Sequence, residues 1–140
     1  MSWELQLIHV IVGILANSEG KLLITQRPPD KPYAGYWEFP GGKVELDEDP
    51  RAALARELKE ELGINVLVAE SWQQCTHAYP DKTVFLDVWK VTQYQGRPQG
   101  REGQELRWVL PGEIKRMHIL EGNYQLIERL VAASLCGVGC

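Results

Sequence analysis

Apolar and polar residues fall along this chain in blocks of different period. Trp3–Leu15, WELQLIHVIVGIL, is dense in Leu, Ile and Val and reads as a buried strand. Asn17-Ser18-Glu19-Gly20 is turn chemistry, and Lys21–Gln26 resumes as a second strand, so the two predict a hairpin. Arg27–Tyr36, RPPDKPYAGY, carries three prolines and a glycine. It is expected to be a surface loop, the kind of segment that often carries binding groups. Trp37-Glu38-Phe39 is a brief extended stretch leading into Pro40-Gly41-Gly42. Further on, Ile64–Gln73 and Lys82–Thr92 read as strands on either side of the turn-rich Ala78-Tyr79-Pro80-Asp81. Gln95–Gln104 is polar and glycine-rich, hence a loop, Glu105–Leu110 is a short strand, and Pro111-Gly112-Glu113 starts a turn or one helical turn. Asn123–Leu135 closes the chain as a helix, its Leu126, Ile127, Leu130 and Val131 forming an apolar stripe for core packing.

The block between these, Gly41–Ile64, reads GGKVELDEDPRAALARELKEELGI: a glycine turn, an acidic loop and a short helix. Asp49 is placed to cap the helix and Pro50 suits its first position. Gly63 falls where a left-handed residue ends it. Leu54, Leu58 and Leu62 recur every four residues and face a core. Glu57, Glu60 and Glu61 stand at i, i+3 and i+4 and share another face. That crowding is unfavourable, because a helix C-terminus is its negative pole and an acid there costs roughly 0.3–1 kcal/mol. An oxygen-seeking divalent cation such as Mg²⁺ or Mn²⁺ would remove the conflict. A solvated Glu/Lys face with Arg56–Glu60 paired across one turn fits the same spacing.

Composition narrows the class. The 140 residues are enough for one domain with a real core. A net charge of −4 argues against a nucleic-acid polymer as partner but leaves room for a single nucleotide. The three cysteines, Cys75, Cys136 and Cys140, are odd in number and show no CxxC spacing, which points to free thiols in the cytoplasm and to no structural zinc. Leu5–Ala16 lacks a basic leader and is too short to span a bilayer, so no membrane association is expected.

Gly42, Glu48, Arg56-Glu57-Leu58, Glu60-Glu61, Gly63 and Ile64 together match every fixed position of the Nudix box. The chain therefore resembles the Nudix hydrolases, which use Mg²⁺ to cleave a nucleoside diphosphate linked to another group. The resemblance implies a single-domain α/β fold, an α/β/α sandwich with a mixed β-sheet. It also implies that Glu57, Glu60, Glu61 and the carbonyl of Gly41 bind metal, with Glu57 orienting or deprotonating the attacking water. Glu48 and Arg56 read as a supporting pair whose bidentate geometry ties the acidic loop to the helix. Glu102, in GREGQ, matches a GxEGQ context of the MutT branch in which the glutamate approaches the metals.

Similarity to the MutT branch extends over nearly the whole chain, through Thr25-Gln26-Arg27, Glu38-Phe39-Pro40-Gly41-Gly42-Lys43, Pro80-Asp81-Lys82 and Asn123. It implies an enzyme that hydrolyses the nucleoside triphosphate 8-oxo-dGTP to 8-oxo-dGMP and pyrophosphate; separately, a monomer is expected. By position, Arg27 would meet phosphate and Phe39 would line the base pocket, its backbone bonding the base. Lys82 stands where the family has arginine, keeping the charge and losing the planar fork. Asn123 has two readings. Its amide can accept from N7–H and donate to O6 of an oxidised guanine, or its side chain can cap the last helix. Tyr36 and Trp37 are either base-stacking rings or a rim and a core aromatic. A CTP or broader nucleotide hydrolase, and a non-catalytic nucleotide-binding module, are the competing functions.

Overall fold

The computed structural model describes residues 7–136. Seven strands, β1 (Leu7–Leu15), β2 (Leu22–Gln26), β3 (Trp37–Glu38), β4 (Gly41–Lys43), β5 (Asn65–Tyr79), β6 (Lys82–Gln95) and β7 (Leu106–Val109), accompany helices α1 (Pro50–Leu62), α2 (Pro111–Ile114) and α3 (Tyr124–Cys136). A four-stranded sheet has the order β4-β1-β6-β5, and a smaller one the order β3-β2-β7. The larger sheet is mixed, since β1 runs parallel to β6 and antiparallel to β4.

Side chains of β1 alternate between two cores, as the period of a strand requires. Ile11 and Leu15 join Ala53, Leu54, Leu58 and Leu62 of α1. Val12 and Ile14 join Leu126, Ile127 and Leu130 of α3 on the opposite face. The result is a helix on each side of the sheet, an α/β/α sandwich. Gly13 lets α1 approach closely, since an added Cβ would lie 3.1 Å from Leu58 Cδ1. Among the described residues no helix is long and apolar enough to cross a membrane.

Several expectations need correction. The hairpin between the first two strands does not form: Ala16 and Leu22 share an isolated bridge, and β1 and β2 enter different sheets. The turn itself is present, closed by the Asn17 Oδ1 bonds from the N–H groups of Glu19 and Lys21. Both hydrogen-bonding edges of β1 are taken by β4 and β6, so β2 has no edge to pair with. Strand β5 does not stop at Gln73 but runs to Tyr79, and Pro80-Asp81 alone turns the chain into β6. The glycine turn at Gly41-Gly42 is itself strand β4. The last helix starts at Tyr124, after a 3₁₀ turn over Glu121–Asn123. The beginning of the expected first strand, 3–6, lies outside the described residues.

Leu58 is fully buried against β1 whereas Leu46 is 92% exposed. Leu58→Ala is therefore expected to cost about 2–5 kcal/mol in urea unfolding, and Leu46→Ala to leave the midpoint unchanged.

Candidate active site

Helix α1 is built by its own punctuation. Asp49 Oδ2 accepts from the Ala52 N–H at 3.1 Å, Pro50 occupies the first turn, and Gly63 closes the helix at φ 74°. This rotation buries Leu54, Leu58 and Leu62 and turns the glutamates toward β4. Glu61, only 8% exposed, accepts from the Gly41 N–H at 3.0 Å. Its other oxygen lies 3.5 Å from Thr25 Oγ1, a long contact. Its backbone carbonyl accepts from Gln104 Nε2 at 3.0 Å, and the same glutamine's Oε1 accepts from the Glu102 N–H at 2.9 Å.

The two glycines of β4 are fitted to this packing. A Cβ on Gly41 would overlap the Ile11 carbonyl oxygen, and its φ of 152° already disfavours other residues. A Cβ on Gly42 would overlap the Glu57 carboxylate. Arg56 holds the outer side of the cluster. Its guanidinium meets Glu48 at 2.7 and 2.9 Å in bidentate fashion, Glu57 at 3.0 Å, Glu60 at 3.3 Å and the Lys43 carbonyl at 3.0 Å.

These contacts divide the carboxylates electrostatically. Hydrogen bonds from Arg56 hold Glu48 down at about 2, and Arg56 is itself raised. Glu61 is pushed up to about 8, first by burial, with Glu38, Glu102 and Glu57 adding repulsion and the Gly41 N–H opposing it. Burial also raises Glu57, against the pull of Arg56, with Glu60 and Glu102 adding to the rise. Glu38 is raised by burial despite its 2.9 Å ion pair with Arg27.

Two adjoining chambers open here. One, of about 200 Å³, is lined by Phe39, Tyr33, Tyr79, Lys82 and Asn123. The other is acidic, lined by Gly41, Glu61 and Glu102 with Thr25 and Gln104. Arg27, Glu38, Gly41, Gly42 and Lys43 line both, so the chambers share a wall. Of the expected metal ligands, Gly41, Glu61 and Glu102 thus share one chamber, and Glu57 presses on Gly42 beside it. Glu60 stands farther out, 54% exposed with its carboxylate on Arg56. Among the described residues no three acidic, His or Cys side chains close into a ready ligand set. The donor chemistry nevertheless fits a hard divalent cation: Glu61 has no Lys or Arg partner, and three further acids raise its proton affinity.

Asn123 is 6% exposed, and its Oδ1 accepts from the Phe39 N–H at 3.3 Å. The amide oxygen therefore reaches across the fold to Phe39, next after β3, and among the described residues it makes no bond to the first turn of α3. Of the Phe39 backbone, expected to bond a base, the N–H donates to Asn123 Oδ1. Trp37 is buried in the α3-side core, and Tyr36 packs edge-on against His118 at 3.9 Å. Neither ring lines a chamber.

Residues 7–130 match the NUDIX domain family. The chain belongs to the Nudix family. It is 40% identical over 126 residues to the 8-oxo-dGTP diphosphatase of Haemophilus influenzae, covering 90% of this chain and 93% of that one. It is 38% identical over 128 residues to the CTP pyrophosphohydrolase of Escherichia coli, covering 91% and 94%. MutT, from a structural study of the Aliivibrio salmonicida and Vibrio cholerae proteins, superposes with a TM-score of 0.78 at 37% identity, covering 91% and 98%. The E. coli ORF135 protein superposes at 0.83 and 35% identity, covering 97% and 96%.

Within this Nudix site, three participants were not assigned from sequence. Glu38 was visible in the EFPGGK stretch, but its grip on Arg27 depends on the pairing of β2 with β3. Thr25 and Gln104 meet Glu61 only through the fold.

Two outcomes follow from this geometry. The folded state holds the Glu61 proton more tightly than an unfolded carboxyl near 4.5. That contribution is complete below about pH 4.5 and is lost as pH rises through about 8. Thermal melts of metal-free protein should fall over this window relative to Glu61→Gln, and added divalent cation at the alkaline end should restore stability. Gly42→Ala displaces Glu57 and should lower kcat by about 10²-fold or more in a steady-state assay.

Proposed function

We propose that this Nudix chain hydrolyses 8-oxo-dGTP to 8-oxo-dGMP and pyrophosphate, with Mg²⁺ as its metal and Mn²⁺ able to substitute. It would act as a cytoplasmic monomer that clears an oxidised precursor before it enters DNA.

One observation carries the substrate: the orientation of Asn123. The Phe39 N–H can only donate, so the amide of Asn123 must present Oδ1 to it. Nδ2 is then the end left for the cavity that Asn123 lines. An oxidised guanine suits this arrangement. Its N7–H donates to the second lone pair of Oδ1, and its O6 accepts from Nδ2. Guanine itself would set the bare N7 against Oδ1 and leave a buried acceptor unpaired. Polar sites of this kind discriminate by up to about 10⁴-fold.

The adjoining chamber suits the triphosphate. Arg27 is held by Glu38 at 2.9 Å and by the Pro32 carbonyl at 2.6 Å, so its guanidinium is oriented before phosphate arrives. Lys43 adds positive charge where the two chambers meet, and Lys82 adds it in the aromatic one. The carboxylates of Glu57, Glu60, Glu61 and Glu102 and the Gly41 carbonyl would hold Mg²⁺, which neutralises phosphate charge and acidifies water. Glu57 is the group we assign to orient or deprotonate the attacking water, its position kept by Arg56 and Gly42. Arg56 and Glu48 are positioning residues, tying the loop before α1 to the helix.

The 38% identity to a CTP pyrophosphohydrolase favours a second reading, a pyrimidine triphosphate in the same chambers. Pyrophosphate release from 8-oxo-dGTP, dGTP and CTP separates the two. We expect 8-oxo-dGTP to lead by kcat/KM and Asn123→Ala to remove most of that lead. Comparable values for all three substrates would end the sanitising claim, and a lead for CTP would establish the second reading. Glu57→Gln should lower kcat by at least about 10²-fold, and unchanged turnover would take Glu57 out of the mechanism.

A further inference from the structure

The 3₁₀ turn over Glu121–Asn123 delivers Asn123 to the cavity, and its first N–H groups have no partner within the turn. The residue before it, Leu120, supplies no side-chain cap. Gly122 is buried, so its N–H must find an acceptor elsewhere or carry the cost of an unmade hydrogen bond. That acceptor is Tyr79 Oη, 2.8 Å away, at the end of β5. The ring is 9% exposed and lies edge-on to His77 at 4.5 Å, with Tyr33 at 5.9 Å. Its hydroxyl is therefore held at a fixed height above the sheet.

We infer that the Tyr79 hydroxyl is a specificity-determining positioning group: by accepting from the Gly122 N–H it sets the turn that aims the Asn123 amide at the base. This rests on the 8-oxo-dGTP reading above and adds a residue to it. The next backbone bond in the turn runs from the Asn123 N–H to the Leu120 carbonyl at 2.9 Å, so Gly122 and Asn123 move together. The Asn123–Phe39 bond is already 3.3 Å long, and a small tilt of the turn breaks it. The amide is then free to turn over, and an amide that samples both orientations no longer tells N7–H from N7. Tyr79 lines the aromatic chamber and not the acidic one. Its loss should therefore weaken binding and discrimination while leaving the chemical step intact.

Gly122 supplies an internal control. A Cβ there would lie 2.7 Å from Tyr79 Oη, but 3.5 and 3.6 Å from the ring carbons, which is ordinary contact. The clash is with the hydroxyl alone, so removing the hydroxyl makes room for the methyl.

The test measures kcat and KM for 8-oxo-dGTP and dGTP in wild type, Tyr79→Phe, Gly122→Ala and the double variant. Tyr79→Phe is expected to raise KM for 8-oxo-dGTP by about 3- to 10-fold, the worth of one buried hydrogen bond, with kcat within about twofold. The 8-oxo-dGTP to dGTP ratio of kcat/KM should narrow by the same factor. Gly122→Ala should narrow it further, and the double variant should do no worse than Gly122→Ala alone. A Tyr79→Phe enzyme with an unchanged ratio, or a double variant whose losses multiply, overturns the inference while the substrate reading stands. Equal kcat/KM for the two nucleotides in wild type overturns that reading and this inference with it.

Discussion

The carboxylate of Glu61 joins parts of the molecule that otherwise touch little. It receives the Gly41 N–H from the larger sheet and lies against Thr25 of the smaller one, and its own backbone carbonyl takes Gln104 from the loop before β7. An acid so enclosed keeps its proton to about 8. It is tolerable because the Gly41 N–H is aimed at it, and a cation shared with Glu57 and Glu102, as proposed, would relieve it further. Energetically this is a poor choice for stability alone, since buried ionisable groups rarely repay their desolvation. Such a cost kept at the mouth of a cavity is a mark of function.

Around that point the fold sorts its chemistry by layer. Helix α1 brings carboxylates to one side of β4, and the 3₁₀ turn before α3 brings an amide to the other. The short strands β3 and β4, with Phe39-Pro40 between them, form the partition. Phe39 is buried beside the partition with its N–H on Asn123, while the next residues, Gly41 and Gly42, face Glu61 and Glu57. Four residues of chain, Phe39–Gly42, thus join the two tasks proposed for the site. The pairing of β4 with β1 at Ile11↔Gly42 fixes the distance between the two tasks.

How much of this was legible depended on the range of the interactions. Helix α1 could be read to the residue, because Asp49, Pro50 and Gly63 act on their own neighbours. The Arg56–Glu48 pair was legible for the same reason. Strand partners were not, since nothing in β1 or β2 says that β4 and β6 will occupy both edges of β1. The reach of β5 to Tyr79 was hidden by the turn chemistry of Ala78-Tyr79-Pro80-Asp81, although Gln73–Tyr79 pairs with β6 in unbroken register. Asn123 could be assigned to a cap or a base with equal ease, because Phe39 is its neighbour only in three dimensions. Gly122, likewise, looks like part of an ordinary turn until the hydroxyl beneath it is seen.

The parallel pairing of β1 with β6 bears on the order of events during synthesis. Leu7 lies beside Thr83 and Leu15 beside Val91, so β1 gains this neighbour only after all the chain up to β6 has been made. Until then its run of buried aliphatic residues has no partner on that edge, and long-range closures of this sort are slow. From the emergence of β1 until β6 follows, the nascent chain carries an open apolar edge that the finished molecule hides in the middle of a sheet.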